Sequence, residues 1–134
     1  MEGQLPVVID ASAILAVLLR EPRRDSLIAL TAGASLLSPA STPWEIGNAL
    51  VAGWRRKRLA KDQVELAWAS FQGIPLRLIE VDVRRALLLA MEHGLYAYDA
   101  YLLEAAMSRR LPLLTLDREL SNAARQVGVE SLEV

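Results

Sequence analysis

A chain of 134 residues with 53 % hydrophobic side chains can build a sizeable core, and the simplest expectation is a single domain over residues 1–134. Its net charge of −1 excludes global steering toward nucleic acid, so any polyanion has to be met by a local patch. The absence of cysteine excludes disulfides and thiolate metal sites, and fits a reducing compartment. Ala and Leu supply much of the apolar content and aromatics are scarce, which suits packed helices better than a β-sandwich. Met1-Glu2-Gly3-Gln4 carries no basic region ahead of an apolar run, so no secretory signal is expected. The longest apolar run, Ala13 to Leu19, is too short to span a bilayer. These features predict a soluble, cytoplasmic protein without a membrane partner.

In chain order, the β-branched run Val7-Val8-Ile9 predicts a buried strand that ends at Asp10. A helix follows through Ala11 to Leu19, with Pro22 beyond it, and a second runs from Arg23 to Thr31, closed by Gly33. Ser35 to Ser38 predicts a strand. Two helices come next, Pro43 to Arg58 and Lys61 to Gln72, the latter ended by Gly73 and Pro75. Leu76 to Val81 reads as a strand, Val83 to His93 as a helix stopped by Gly94, and Tyr98 to Arg110 as another helix. Leu113 to Leu116 reads as a strand, Arg118 to Val127 as a helix, and Ser131 to Val134 as a last short strand. Strands that alternate with helices and read as continuous apolar runs predict an α/β fold. Its central parallel β-sheet is flanked by helices on both faces. In such sheets ligands bind outside the carboxyl ends of the strands.

Four carboxylates fall where that rule points. Asp10 and Asp117 follow predicted strands directly. Glu45 lies in the first turn of the helix after the second strand. Asp99 stacks over Leu102, Leu103 and Ala106, the inward stripe of its helix, with Glu104 and Ser108 expected on another side. Each has a plain structural reading. The three Asp residues stand at helix starts, where Asp is a favoured N-cap. Thr42, Pro43 and Glu45 spell a capping box, in which the Glu side chain reaches back to the cap's N–H. Together, carboxylates crowded at one sheet edge repel, and a divalent cation relieves the repulsion. Oxygen ligands favour Mg²⁺ or Mn²⁺, while one His and no Cys disfavour zinc.

Asn48 lies one turn beyond Glu45, beside Ala49 and Ala52. Ile46, Leu50 and Trp54 are expected on the opposite, packed side. Trp44 is expected in the core, and Tyr98 fits either core or site. Thr115 sits two residues before Asp117, so its hydroxyl shares that side of the strand. The run Arg55-Arg56-Lys57-Arg58 has two readings: cations favoured at a helix C-terminus, or a patch that tracks RNA phosphates. Arg109, Arg110 and Arg118 can extend that patch. His93, at a helix end, fits a contact with the helix dipole.

The ordered set Val8-Ile9-Asp10-Ala11-Ser12-Ala13, Leu18-Leu19-Arg20-Glu21-Pro22, Glu45-Ile46-Gly47-Asn48-Ala49-Leu50, Tyr98-Asp99-Ala100 and Leu114-Thr115-Leu116-Asp117 resembles a PIN domain. More narrowly it resembles the VapC toxins of toxin–antitoxin systems. Each motif alone is weak, but the set spans nearly the whole chain in order. The resemblance implies a Mg²⁺- or Mn²⁺-dependent endoribonuclease, a homodimer, and a small antitoxin that wraps the toxin and occludes its site. It further implies Asp10, Glu45, Asp99 and Asp117 as the acidic, metal-binding set, with Ser12, Asn48 and Thr115 in support. Leu120 stands where the family often has an aromatic, a core variation that leaves every carboxylate in place.

Rival classes are weighed on the same residues. A signalling receiver domain needs paired acids after the first strand and a Lys after the last. Here Ala11 and Ser12 follow Asp10, and no Lys occurs beyond Lys61. A phosphatase with an Asp-x-Asp nucleophile fails at Ser12. A PIN-like RNA-binding module that keeps its acids without turnover stays open.

Overall fold

The computed structural model describes residues 5–134. Four strands and seven helices follow one another as β1 (Leu5–Ile9), α1 (Ala11–Leu18), α2 (Arg24–Thr31), β2 (Ala34–Pro39), α3 (Thr42–Arg55), α4 (Lys61–Gln72), β3 (Leu76–Ile79), α5 (Val83–His93), α6 (Ala97–Arg109), β4 (Leu113–Leu114) and α7 (Arg118–Gln126). All strand pairs are parallel and the sheet order is β3-β2-β1-β4. The expected α/β architecture is the one observed.

The apolar strands are buried on both faces because successive side chains point opposite ways. Val7, Ile9 and Leu114 pack into one core with Ile14, Leu27, Ile46, Leu50 and Phe71, contributed by α1 to α4. Val8, Leu37 and Leu113 pack into a second core with Leu102, Leu103, Leu120 and Ala124, contributed by α6 and α7. The chain leaves β1 toward β2 and β3 on one side and returns to β4 on the other. The strand order therefore reverses at β1 and β4, the position where doubly wound sheets open a crevice at their carboxyl ends.

Several boundaries differ from expectation. β4 pairs over only two residues, so Thr115 and Leu116 lie beyond the ladder. The last expected strand reduces to a single bridge, Leu113 to Ser131. α3 stops at Arg55, because Lys57 adopts a left-handed φ of 60° and turns the chain. The basic run therefore straddles the helix end, with Arg56 as its C-cap. α6 is buried nearly all round, and Glu104, expected on an outer side, is enclosed with 3 % exposure. Its Oε1 accepts the Asp82 N–H at 2.7 Å and so ties α6 to the start of α5. Among the described residues, no helix is long and apolar enough to cross a membrane.

Candidate active site

The site is built on Asp10, whose carboxylate is buried at the carboxyl end of β1. Oδ1 accepts the Ser12 hydroxyl at 2.6 Å and the Ala13 N–H at 3.0 Å, so Asp10 is the N-cap of α1. Oδ2 accepts the Thr115 hydroxyl from beyond β4. The Thr115 oxygen in turn accepts the Asp117 N–H at 3.0 Å, and the Ser12 oxygen accepts the Leu116 N–H at 3.1 Å. Two hydroxyls thus stitch the turn after β1 to the turn after β4. Asp117 caps α7, its Oδ1 accepting the N–H groups of Glu119 and Leu120 at 2.9 and 3.3 Å. The cap reading is correct for Asp10 and Asp117.

It is incorrect for the other two. The N-cap of α3 is Ser41, one residue earlier than the sequence suggested, and Thr42 is already helical. Thr42 is buried, and its hydroxyl is hydrogen-bonded to Ser38, whose oxygen reaches the Ile9 carbonyl at 2.9 Å. With that hydroxyl engaged by Ser38 at the end of β2, the capping box does not form. Likewise Tyr96 occupies the N-cap position of α6, and Asp99 lies in the first turn. Among the described residues neither Glu45 nor Asp99 accepts a hydrogen bond from the protein, although both are half-buried.

The electrostatics follow from that burial. Burial raises the Glu45 carboxyl from its ordinary 4.5 to about 7, with the charges of Asp10 and Asp99 adding to the rise. Burial, then repulsion from Asp117, Asp10 and Glu119, raises Asp99 from 3.8 to about 6. Asp10 is also raised, chiefly by burial, against the lowering effect of bonds from Ser12, Thr115 and Ala13. Glu45 thus feels the charges of Asp10 and Asp99, and Asp99 those of Asp117 and Asp10. Glu119 joins them, two residues past Asp117 in the first turn of α7. Sequence reasoning missed it; the signal was its spacing from Asp117. Even so, among the described residues no three acidic or histidine side chains are drawn together closely enough to hold an ion as they stand.

The surrounding side chains correct two further expectations. Trp44, beside Glu45, is 73 % exposed and Trp54 is 54 % exposed, so neither is core. Ile46 and Leu50 are buried as expected, and Asn48 is exposed one turn beyond Glu45. Tyr96 and Tyr98, beside Asp99, are exposed as well. Arg55, Arg56, Lys57 and Arg58 are all exposed, and ten residues of rise put Arg55 ~15 Å along α3 from Glu45. His93 ends α5 with its Nε2 buried and without a hydrogen-bond partner among the described residues.

The chain is 30 % identical over 122 residues to Ribonuclease VapC3 of Pyrobaculum aerophilum, covering 87 % of this chain and 93 % of that protein. The crystal structure of PAE2754 from the same organism superposes with a TM-score of 0.67 at 28 % identity, covering 96 % of this chain and 91 % of that one. A toxin–antitoxin complex from Klebsiella pneumoniae shares the fold with a TM-score of 0.59 at 18 % identity, covering 95 % and 96 % of the two chains. Residues 7–126, which run from β1 through α7 and include every carboxylate above, match the PIN domain, and the chain belongs to the PIN domain family.

Proposed function

We propose that this chain is a divalent-metal-dependent endoribonuclease that acts as the toxin of a toxin–antitoxin pair. One observation carries the reading. Glu45 and Asp99 are half-buried, their carboxyls are raised by burial and by the charges of neighbouring acids, and among the described residues neither has a protein hydrogen-bond partner. Unpartnered buried carboxyls are costly unless a cation or a proton satisfies them. The donor set is all oxygen, which fits Mg²⁺ or Mn²⁺. Asp10, Glu45, Asp99 and Asp117 are the residues to hold such an ion. Once bound, it lowers the pKa of water and offsets charge on a phosphate.

Hydrolysis of a phosphodiester forms one P–O bond from water and breaks one P–O bond of the ester. The water loses a proton and the leaving oxygen gains one. Without an ion Glu45 is raised to about 7, so taking up the ion near neutral pH would release its proton. Ser12 and Thr115 fix the orientation of Asp10, and Asn48 offers an exposed amide on the Glu45 side of α3. The basic run Arg55 to Arg58 meets RNA only several nucleotides away from the scissile bond. The similarity to Ribonuclease VapC3 supports RNA as substrate, and the cytoplasm, where RNA is plentiful, as the place of action.

The shared fold with the Klebsiella complex supports an antitoxin partner. Exposed apolar side chains on α3 (Trp44, Val51, Trp54) and α5 (Val83, Leu87, Leu88, Met91) supply contact area for that partner and for a homodimer. The test is cleavage of RNA with Mg²⁺, with Mn²⁺ and in EDTA. Cleavage that needs the ion and is lost in Asp99→Asn supports the reading; equal cleavage in EDTA sinks it. Because no preformed ion-holding group exists among the described residues, an RNA-binding module without turnover is the second reading. RNA binding with no ion-supported cleavage selects it.

A further inference from the structure

A cleft of about 340 Å³ opens beside the acidic site, and its lining includes Thr115 and Asp117 together with Arg23, Arg118 and Arg125. Since a water molecule takes up ~30 Å³ of liquid, the cleft admits a group of nucleotide size rather than a single solvent molecule. The three arginines come from separate places in the chain: ahead of α2, at the first position of α7, and at its last turn. Arg23 and Arg118 are exposed and make no salt bridge among the described residues, so Asp117 does not engage them. Arg125 is engaged: its guanidinium is paired with Glu133 and donates to Asn122 Oδ1 at 3.3 Å. Glu133, on the tail beyond α7, therefore puts an anionic group against Arg125 inside the cleft.

Guanidiniums beside a pocket of carboxylates suit a polyanion whose one phosphate enters the acidic site while a neighbour lies against the arginines. We infer that Arg23, Arg118 and Arg125 form the RNA-backbone track adjoining the scissile position, and that Glu133 occupies the Arg125 end of it until RNA displaces it. The inference rests on the nuclease reading above. It also differs from the patch that the sequence suggested, since it places the near phosphates along α7 rather than at the end of α3.

The experiment measures KM and kcat for ion-supported cleavage of a labelled single-stranded oligoribonucleotide of about 12 nucleotides, a length within the footprint of such clefts. Fluorescence anisotropy of the same oligonucleotide in EDTA, over a salt series, gives binding without turnover. Arg23→Ala with Arg118→Ala is expected to raise KM roughly tenfold at unchanged kcat, and to flatten the log–log salt dependence by about 0.7 per arginine removed. Glu133→Gln is expected to lower KM and steepen that dependence. Arg84→Ala with Arg85→Ala, the same loss of two charges on α5, is expected to leave both KM and the salt dependence unchanged. Wild-type KM and salt slope in the double variant overturn the track, and the cleft then suits an acidic segment of a partner protein instead. Cleavage by the wild type is read separately. Its absence sinks the nuclease reading, whereas normal cleavage with unmoved variants sinks only the track. All of these residues are at the surface, and thermal melts check that the variants remain folded.

Discussion

Asp10 accepts three hydrogen bonds and Asp117 two, while Glu45 and Asp99 accept none among the described residues. Substitution should separate the two pairs. Glu45→Gln and Asp99→Asn are expected to leave the melting temperature unchanged or raised, because they remove repulsion and no bond. Ion-supported cleavage should fall by more than ~100-fold, beyond the usual cost of losing a supporting group at a metal site. Unchanged cleavage in both would return these residues to a structural role. Thr115→Val is the opposite case. It strips a bond from buried Asp10 and an acceptor from the Asp117 N–H, so a loss of about 1–3 kcal/mol in urea denaturation is expected, together with reduced cleavage. Asp10, Asp117 and Thr115 were legible because each is read from its distance to an apolar strand. The role of Thr42 was not. A capping box is a pattern of residue types, and it does not show that the Thr42 hydroxyl is taken by Ser38 at the end of β2. The exposure of Trp44 was hidden for a similar reason, since one aromatic on a short helix turn fits either face.

At the scale of elements, the ends of α5 and α6 make an instructive contrast. Both terminate in the left-handed region, α5 at Gly94 with φ 67° and α6 at Arg110 with φ 56°. Glycine reaches that region without a Cβ clash, and arginine does not. Arg110→Gly is expected to stabilise the protein by about 0.5–1 kcal/mol, and Gly94→Ala to destabilise it by ~1 kcal/mol, both by chemical denaturation. Equal midpoints for Arg110→Gly and wild type would show that the side chain offsets its backbone strain. The glycine stop after α5 was legible from sequence. The helix α6 was expected to run through Arg110, one residue past its observed end, because nothing in an arginine announces its backbone angle. The environment of Glu104 was equally hidden, because α6 is enclosed by β1, β2, α5 and α7, and a helical wheel assumes one wet face. β4 is short, and just beyond the ladder the Thr115 hydroxyl bonds Asp10.

For the whole molecule, the raised carboxyls make stability depend on pH in a definite direction. Between about pH 4 and pH 7 the folded protein keeps protons on Glu45 and Asp99 that the unfolded chain has released. The unfolded state then binds fewer protons, so metal-free stability falls as pH rises through that window and levels off above it. Urea midpoints in EDTA should therefore drop between about pH 5 and pH 8, with a shallower drop in Glu45→Gln. Added Mg²⁺ or Mn²⁺ should restore the midpoint at the upper end. A flat profile would show that neither burial nor the neighbouring acids raise these carboxyls. The architecture itself was legible, since buried parallel strands announce themselves as unbroken apolar runs.

The two borders of the sheet are finished differently. Beyond β4, Leu113 receives the Glu130 carbonyl on its N–H and offers its own carbonyl to the Leu132 N–H, so the tail hems that border. Among the described residues nothing follows β3 in the sheet order, and Leu78 stands 46 % open next to Arg77. Strand addition by a neighbouring copy, the first step of edge-to-edge aggregation, is therefore barred on the β4 side. On the β3 side it is opposed only by the shortness of the strand, a flanking proline at Pro75 and the charge of Arg77.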